Sequence, residues 1–170
     1  TLTPLFVKTK EAEFEAMKIA IEKLLRPVED RKIPFSMIYG NHDDMNEITK
    51  KEQSDIYRSY PHFVGLDNDV EILKDETFNI PIYSEDGSEI KFNIWMMDSA
   101  WKNKEEDKCY NQVKPEAIEW YKKKSAELKA QNGGTPVPSL MFQHIPLIEM
   151  LDLMEECGKD DEGAVSGPDG

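Results

Sequence analysis

Cysteine is nearly absent from this sequence, which holds only Cys109 and Cys157 in 170 residues. Two thiols without C-x-x-C spacing exclude a disulfide framework and a thiolate zinc site, and they favour a reducing, cytoplasmic compartment. Basic residues are also in the minority. There are 21 Lys plus Arg against 34 Asp plus Glu, a net charge of −13. An acidic surface repels a phosphate backbone and gains nothing from counterion release, so nucleic acid is not an expected partner. No apolar run approaches the roughly 18 residues that cross a bilayer, and Thr1-Leu2-Thr3-Pro4 lacks the basic-then-apolar order of a signal peptide. Neither a membrane span nor a targeting segment is expected.

What is present suits one folded domain: 39% hydrophobic and 32% charged residues, with the apolar ones clustered. Phe14, Met17, Ile21, Leu24 and Leu25 form the stripe of an amphipathic helix over Glu13 to Leu25, which Pro27 helps to end. The short apolar run Ile33 to Tyr39, bounded by Gly40, predicts a buried strand, and a polar helix from about Glu47 to Tyr60 follows. Phe78 to Tyr83 and Ile90 to Met97 alternate around Asp86-Gly87, the pattern of a hairpin, with Pro81 placing the first strand at an edge or bulge. Pro115 opens a helix with Ile118, Tyr121, Ala126 and Leu128 near its inner side, and Asn132-Gly133-Gly134 closes it. Leu140 to Gln143 reads as a strand delivering His144, Leu147 to Met154 as a helix, and 158–170 as an open loop. The order predicts an α/β sandwich with a largely parallel buried sheet and an antiparallel portion.

In such folds chemistry sits on loops beyond the carboxyl ends of strands. Gly40-Asn41-His42-Asp43, Asp98 and His144 occupy that position. Gly40 lets the chain turn sharply, Asn41 offers a hard carbonyl oxygen to a cation, and His42 exchanges a proton near neutral pH. Asp43 is placed to hold that imidazole in one tautomer, and His144 is a candidate neutral imidazole ligand. Each has a plainer reading: an Asn/Gly/Asp turn with an exposed histidine, a capping role for His144, a turn cap for Asp98 and a packing role for His62. Trp101 and Trp120 read as packing residues, Trp101 with the option of lining a cleft, and Lys122-Lys123-Lys124 as a solvated helix face. Neither cysteine sits in an electropositive turn that would activate a thiolate.

Tyr39-Gly40-Asn41-His42-Asp43 resembles the Gly-Asn-His-Asp/Glu motif of the calcineurin-like metallophosphoesterases, the group that includes the purple acid phosphatases. Phe142-Gln143-His144-Ile145-Pro146-Leu147 is similar to that family's later strand-end histidine, and Pro115 to Tyr121 to a helix of its purple-acid-phosphatase-like branch. The resemblance implies a metallophosphoesterase-like α/β sandwich with mixed sheets flanked by helices. It also implies hydrolysis of phosphate monoesters or diesters at two metal ions (Mn, Fe or Zn). Asn41 and His144 would ligate one metal, while His42, oriented by Asp43, would contact the phosphate and protonate the leaving oxygen. The family's Asp-x-His, Gly-Asp and Gly-His-x-His blocks do not occur, and His42, His62 and His144 are the only histidines. Residues 1–170 are therefore expected to be one partial domain, the interior of a longer one and incomplete at both ends.

The rival reading is a catalytically silent binding or interaction module on the same scaffold. On the ligand count, residues 1–170 alone are expected to show little or no hydrolysis of an aryl phosphate with added Mn²⁺, Fe or Zn²⁺. Robust turnover by this segment in a colorimetric assay would overturn that count.

Overall fold

Alternation in one strand decides how this chain folds. A computed structural model describes residues 9–43, 47–102 and 111–147. Among them are three α-helices, α1 (Lys10–Glu29), α2 (Lys50–Arg58) and α3 (Pro115–Gln131). The strands are β1 (Phe78–Tyr83), β2 (Ile90–Met96), β3 (Trp101–Lys102), β4 (Asn111–Gln112) and β5 (Ser139–Phe142). A three-stranded sheet has the order β1-β2-β5, with β1 antiparallel and β5 parallel to β2, and β3 pairs with β4 separately. The protein is thus mixed α/β. The largely parallel sheet expected from the element order is not what the described residues form, because only β2 and β5 run parallel.

Period-two geometry sends alternate side chains of β1 and β2 to opposite faces. Phe78 and Ile80 of β1 and Ile94 and Met96 of β2 enter one core with Met17, Ile21 and Leu25 of α1 and with Ile56 and Tyr57 of α2. Trp95 and Met97 enter the other with Ala117, Trp120 and Leu128 of α3. There the Trp95 ring meets Trp120 and Tyr121 edge-on, with centroids 5.7 and 4.8 Å apart. Such pairs contribute about 0.5–1.5 kcal/mol each beyond their burial. The Trp120 contact also sets the rotation of α3. Ala117, Trp120 and Leu128 are its buried residues, whereas Ile118 and Ala126, expected inside, are exposed. Asn132, Gly133 and Gly134 end that helix as expected, both glycines at positive φ.

Three other expectations need correction. Helix α1 continues through Pro27 to Glu29. Val28 packs on the first core, and Glu29 accepts from the His62 amide at 3.1 Å and pairs with its Nδ1 at 2.7 Å. These contacts outweigh the one hydrogen bond that proline removes from the last turn. The run Ile33 to Tyr39 is extended but is not a strand. Phe35 makes a single parallel bridge to Phe63, and among the described residues Ser36 to Tyr39 make no backbone hydrogen bond. Strand β5 carries Leu140, Met141 and Phe142 yet is exposed along its whole length, so its apolar composition does not mark it as buried here. The expected helix beyond Leu147, the loop 158–170 and both cysteines lie outside the described residues. No helix among the described residues is long and apolar enough to cross a membrane.

Tight packing explains one glycine. Gly65 has φ +117°, and a Cβ there would lie 2.2 Å from the Phe78 ring, so any other residue would displace the loop from β1. Helix α2 opens with a capping box: Thr49 Oγ1 accepts from the Glu52 amide at 3.2 Å and Glu52 Oε2 accepts from the Thr49 amide at 2.8 Å. Lys10 adds a 2.8 Å ion pair to the same carboxylate. The hydrogen bond from Lys10, then those from Thr49, hold the Glu52 carboxyl at about 2 against an ordinary 4.5. A lowered folded-state pKa stabilises above the unfolded value and loses that contribution as pH falls toward the folded one. Stability is therefore expected to fall between about pH 4.5 and about pH 2 more steeply in the wild type than in Glu52→Gln. Parallel urea midpoints across that window would refute the cap's contribution.

Candidate functional site

Asn41 and His144 stand 103 residues apart in sequence, and the fold brings them together, with Asn41 Oδ1 3.2 Å from His144 Nε2. Asn41 comes from the turn after the extended segment, His144 from the end of β5. The turn is anchored on both sides. Before it, Tyr39 is fully buried and its hydroxyl donates to the Lys50 carbonyl at 3.0 Å. Burial pushes that phenol far above its ordinary pKa, so it remains a donor at any physiological pH. After it, buried Gln53 donates from Nε2 to the Asp43 carbonyl and the Ile48 carbonyl, both at 2.9 Å. Within the turn, the Asp43 carboxylate accepts from the Gly40 amide at 2.6 Å and the Asp43 amide donates to the Gly40 carbonyl at 3.2 Å. Asp43 thus closes the loop on which His42 is exposed.

Gly40 is needed here for close approach, not for a left-handed turn, because its φ is not positive. A Cβ at this position would stand 3.0 Å from both Cδ2 and Nε2 of His144. The imidazole therefore rests on the bare α-carbon. His144 is followed by Ile145, whose amide donates to Ser99 Oγ at 2.8 Å.

The donor pair can act in two ways. With the proton on Nε2, the ring donates to the Asn41 carbonyl oxygen. With the proton on Nδ1, two lone-pair donors face each other at 3.2 Å, a repulsive arrangement that a shared cation relieves. Ligands bound at about 2.1 Å lie about 3.0 Å apart at an octahedral edge and about 3.4 Å apart at a tetrahedral one. The observed spacing falls between, and the carbonyl oxygen and imidazole suit Mn, Fe or Zn. Two donors are part of a ligand set, and among the described residues no group of three His, Cys, Asp or Glu is arranged to hold a metal.

Asp98 lies at the end of β2, where its Oδ1 accepts from the Ala100 amide at 2.9 Å, the turn-capping role weighed from sequence. Its Oδ2 also pairs with Lys50. Trp101 lines a cavity of about 420 Å³ with Lys50, Glu76 and Lys114. A more apolar depression of about 440 Å³, between Val70 and the Trp120 face of α3, shares no residue with the site. Sequence reading missed Tyr39, Lys50, Gln53 and Ser99 as supports of the site. Two of them carried a signal: Tyr39 as the first residue of the Tyr39–Asp43 stretch, and Ser99 beside Asp98 at a strand terminus.

No family model matches the chain, and no solved structure matches it. Two curated proteins are similar to it. One is an uncharacterised protein, C1020.05, of Schizosaccharomyces pombe, 25% identical over 141 residues that cover 82% of this chain and 25% of that protein. The other is Phosphatase DCR2 of Saccharomyces cerevisiae, 26% identical over 169 residues that cover 85% of this chain and 26% of DCR2. The chain therefore spans about a quarter of the length of the curated relatives it matches.

Gly40→Ala tests the close approach. A methyl group 3.0 Å from the ring is expected to move His144 by a few tenths of an ångström or more and to lengthen the Asn41–His144 distance. A crystal structure of the variant with that distance unchanged would refute the need for glycine.

Proposed function

We propose that this chain contributes part of the active site of a metal-dependent phosphatase acting on phosphate monoesters or diesters. The observation that carries the reading is the meeting of Asn41 Oδ1 and His144 Nε2 at 3.2 Å, the first from the Gly40–Asp43 turn and the second from the loop after β5. It is supported by the distant similarity to a protein named a phosphatase and by the resemblance of Tyr39 to Asp43 to the metallophosphoesterase motif. In this reading Asn41 and His144 hold one ion of a dinuclear centre, and polypeptide beyond these residues supplies the other ligands. Such ions supply Lewis acidity toward the phosphoryl oxygens and toward water. With cations held by Asn41 and His144 the cleft would be locally positive, so the overall charge of −13 would be no barrier to an anionic substrate.

His42 stands in the same turn as Asn41 and is exposed. Its imidazolium nitrogen provides the proton that the leaving oxygen takes up. Asp43 closes the turn through the Gly40 amide, and in this reading it also orients His42.

Single substitutions in the longer protein separate these roles. Asn41→Ala and His144→Ala are each expected to weaken Mn²⁺ binding by at least about 10–100-fold. His42→Ala is expected to retain the metal and lower kcat by about 10²–10⁴. Equal loss of metal from all three variants would refute the division. A wild-type protein with neither metal affinity nor turnover would favour the silent binding module.

A further inference from the structure

Two adjacent residues at the end of β2 reach the two halves of the site. Asp98 is 2% exposed, and its backbone amide donates to Thr77 Oγ1 at 3.1 Å. Its Oδ2 pairs with the Lys50 ammonium, whose side chain is itself 11% exposed. That ammonium lies 5.4 Å from the centroid of the Tyr39 ring, and the Lys50 carbonyl accepts the Tyr39 hydroxyl. Asp98 is thereby joined to the residue immediately before Gly40-Asn41. Ser99, 1% exposed, turns the other way, and its Oγ accepts the amide of Ile145, the residue after His144.

The geometry points to Asp98 and Ser99 as positioning residues that set the Asn41–His144 spacing. A buried Lys–Asp pair is often no more stabilising than apolar residues of the same shape, and the role assigned to it here is positional. The need lies in the backbone. The strand that leads to His144 is held by the β2–β5 ladder as far as Phe142, but the segment leading to Asn41 has no ladder bond to that sheet among the described residues. The Asp98–Lys50–Tyr39 chain supplies a polar link from β2 to that segment, and Ser99 ties down the far side of His144. Both links leave β2 within two consecutive residues, so a shift of either half changes the donor spacing. For metal binding this inference rests on the function proposed above, but the coupling of the two loops does not.

The test uses the longer protein carrying Ser99→Ala, Ser99→Thr, or the neutral pair Lys50→Met with Asp98→Asn, which avoids stranding one buried charge. Mn²⁺ affinity is read by electron paramagnetic resonance titration, and loop motion by hydrogen–deuterium exchange in peptides covering 39–43 and 143–147. Ser99→Ala and the neutral pair are each expected to weaken Mn²⁺ binding about 10-fold and to speed exchange in both peptides. Ser99→Thr restores the hydroxyl and is expected to restore both readouts. A purely structural role would lower the melting temperature while leaving Mn²⁺ affinity within about twofold, and that result would overturn the inference. If the wild type binds no Mn²⁺, the metal reading fails and exchange alone decides. Faster exchange in both peptides upholds the positioning role, and a change confined to one overturns it.

Discussion

The burial of both faces of β2 is the constraint on which the rest of the structure depends. A strand sends alternate side chains to opposite sides, and where both sets are apolar, as here, each face needs an apolar partner. Ile94 and Met96 take up α1, α2 and β1 side chains on one face, while Trp95 and Met97 take up α3 on the other. A slip of one residue in register would exchange the two sets and take Trp95 away from Trp120 and Tyr121. With the register set, the residues that follow Met97 are fixed at a defined edge of the sheet. Asp98 and Ser99 emerge there, beside the end of β5 that carries His144.

Polar groups near the site are held by bonds that cross between elements. Tyr39 and Gln53 tie the Asn41 turn to α2, while the Gly40 α-carbon and Ser99 receive the His144 side. Buried donors and acceptors cost free energy when unpaired, so each such bond restricts the loops to arrangements that keep it. A pair of donors can thus be held at ligand spacing by groups that never touch the ligand. The overall acidity of the chain is a separate matter, because a −13 charge spread over the surface does not decide the potential inside one cleft.

Local patterns were legible wherever one short stretch carried its own signal. The Phe14, Met17, Ile21 and Leu25 stripe of α1, the Asp86-Gly87 hairpin, the edge position of Pro81 and the Pro115 start of α3 all appear in the structure, whereas Leu24, expected in that stripe, is exposed. Features that depend on a distant partner were not legible. Ile33 to Tyr39 has the composition of a strand, but a strand exists only where a neighbour completes the ladder, and Phe35 alone finds one. Rotation of α3 turns on where Trp120 meets Trp95, and persistence of α1 past Pro27 turns on the contact with His62. For the candidate site, Gly40, Asn41, His42, Asp43 and His144 stood out by residue type and position. Their supports Lys50 and Gln53 look like ordinary surface residues in sequence.

By itself the sequence determined which segments are amphipathic, where they start and stop, and which side chains have the chemistry to bind a cation or move a proton. These properties belong to single residues and their near neighbours, so they can be read along the chain. The tertiary structure alone decided that Asn41 and His144 meet, that Gly40 serves close approach, and that Asp98 and Ser99 reach opposite halves of the site. Those are distances between residues far apart in sequence. They arise only once both faces of β2 are packed and its register is chosen.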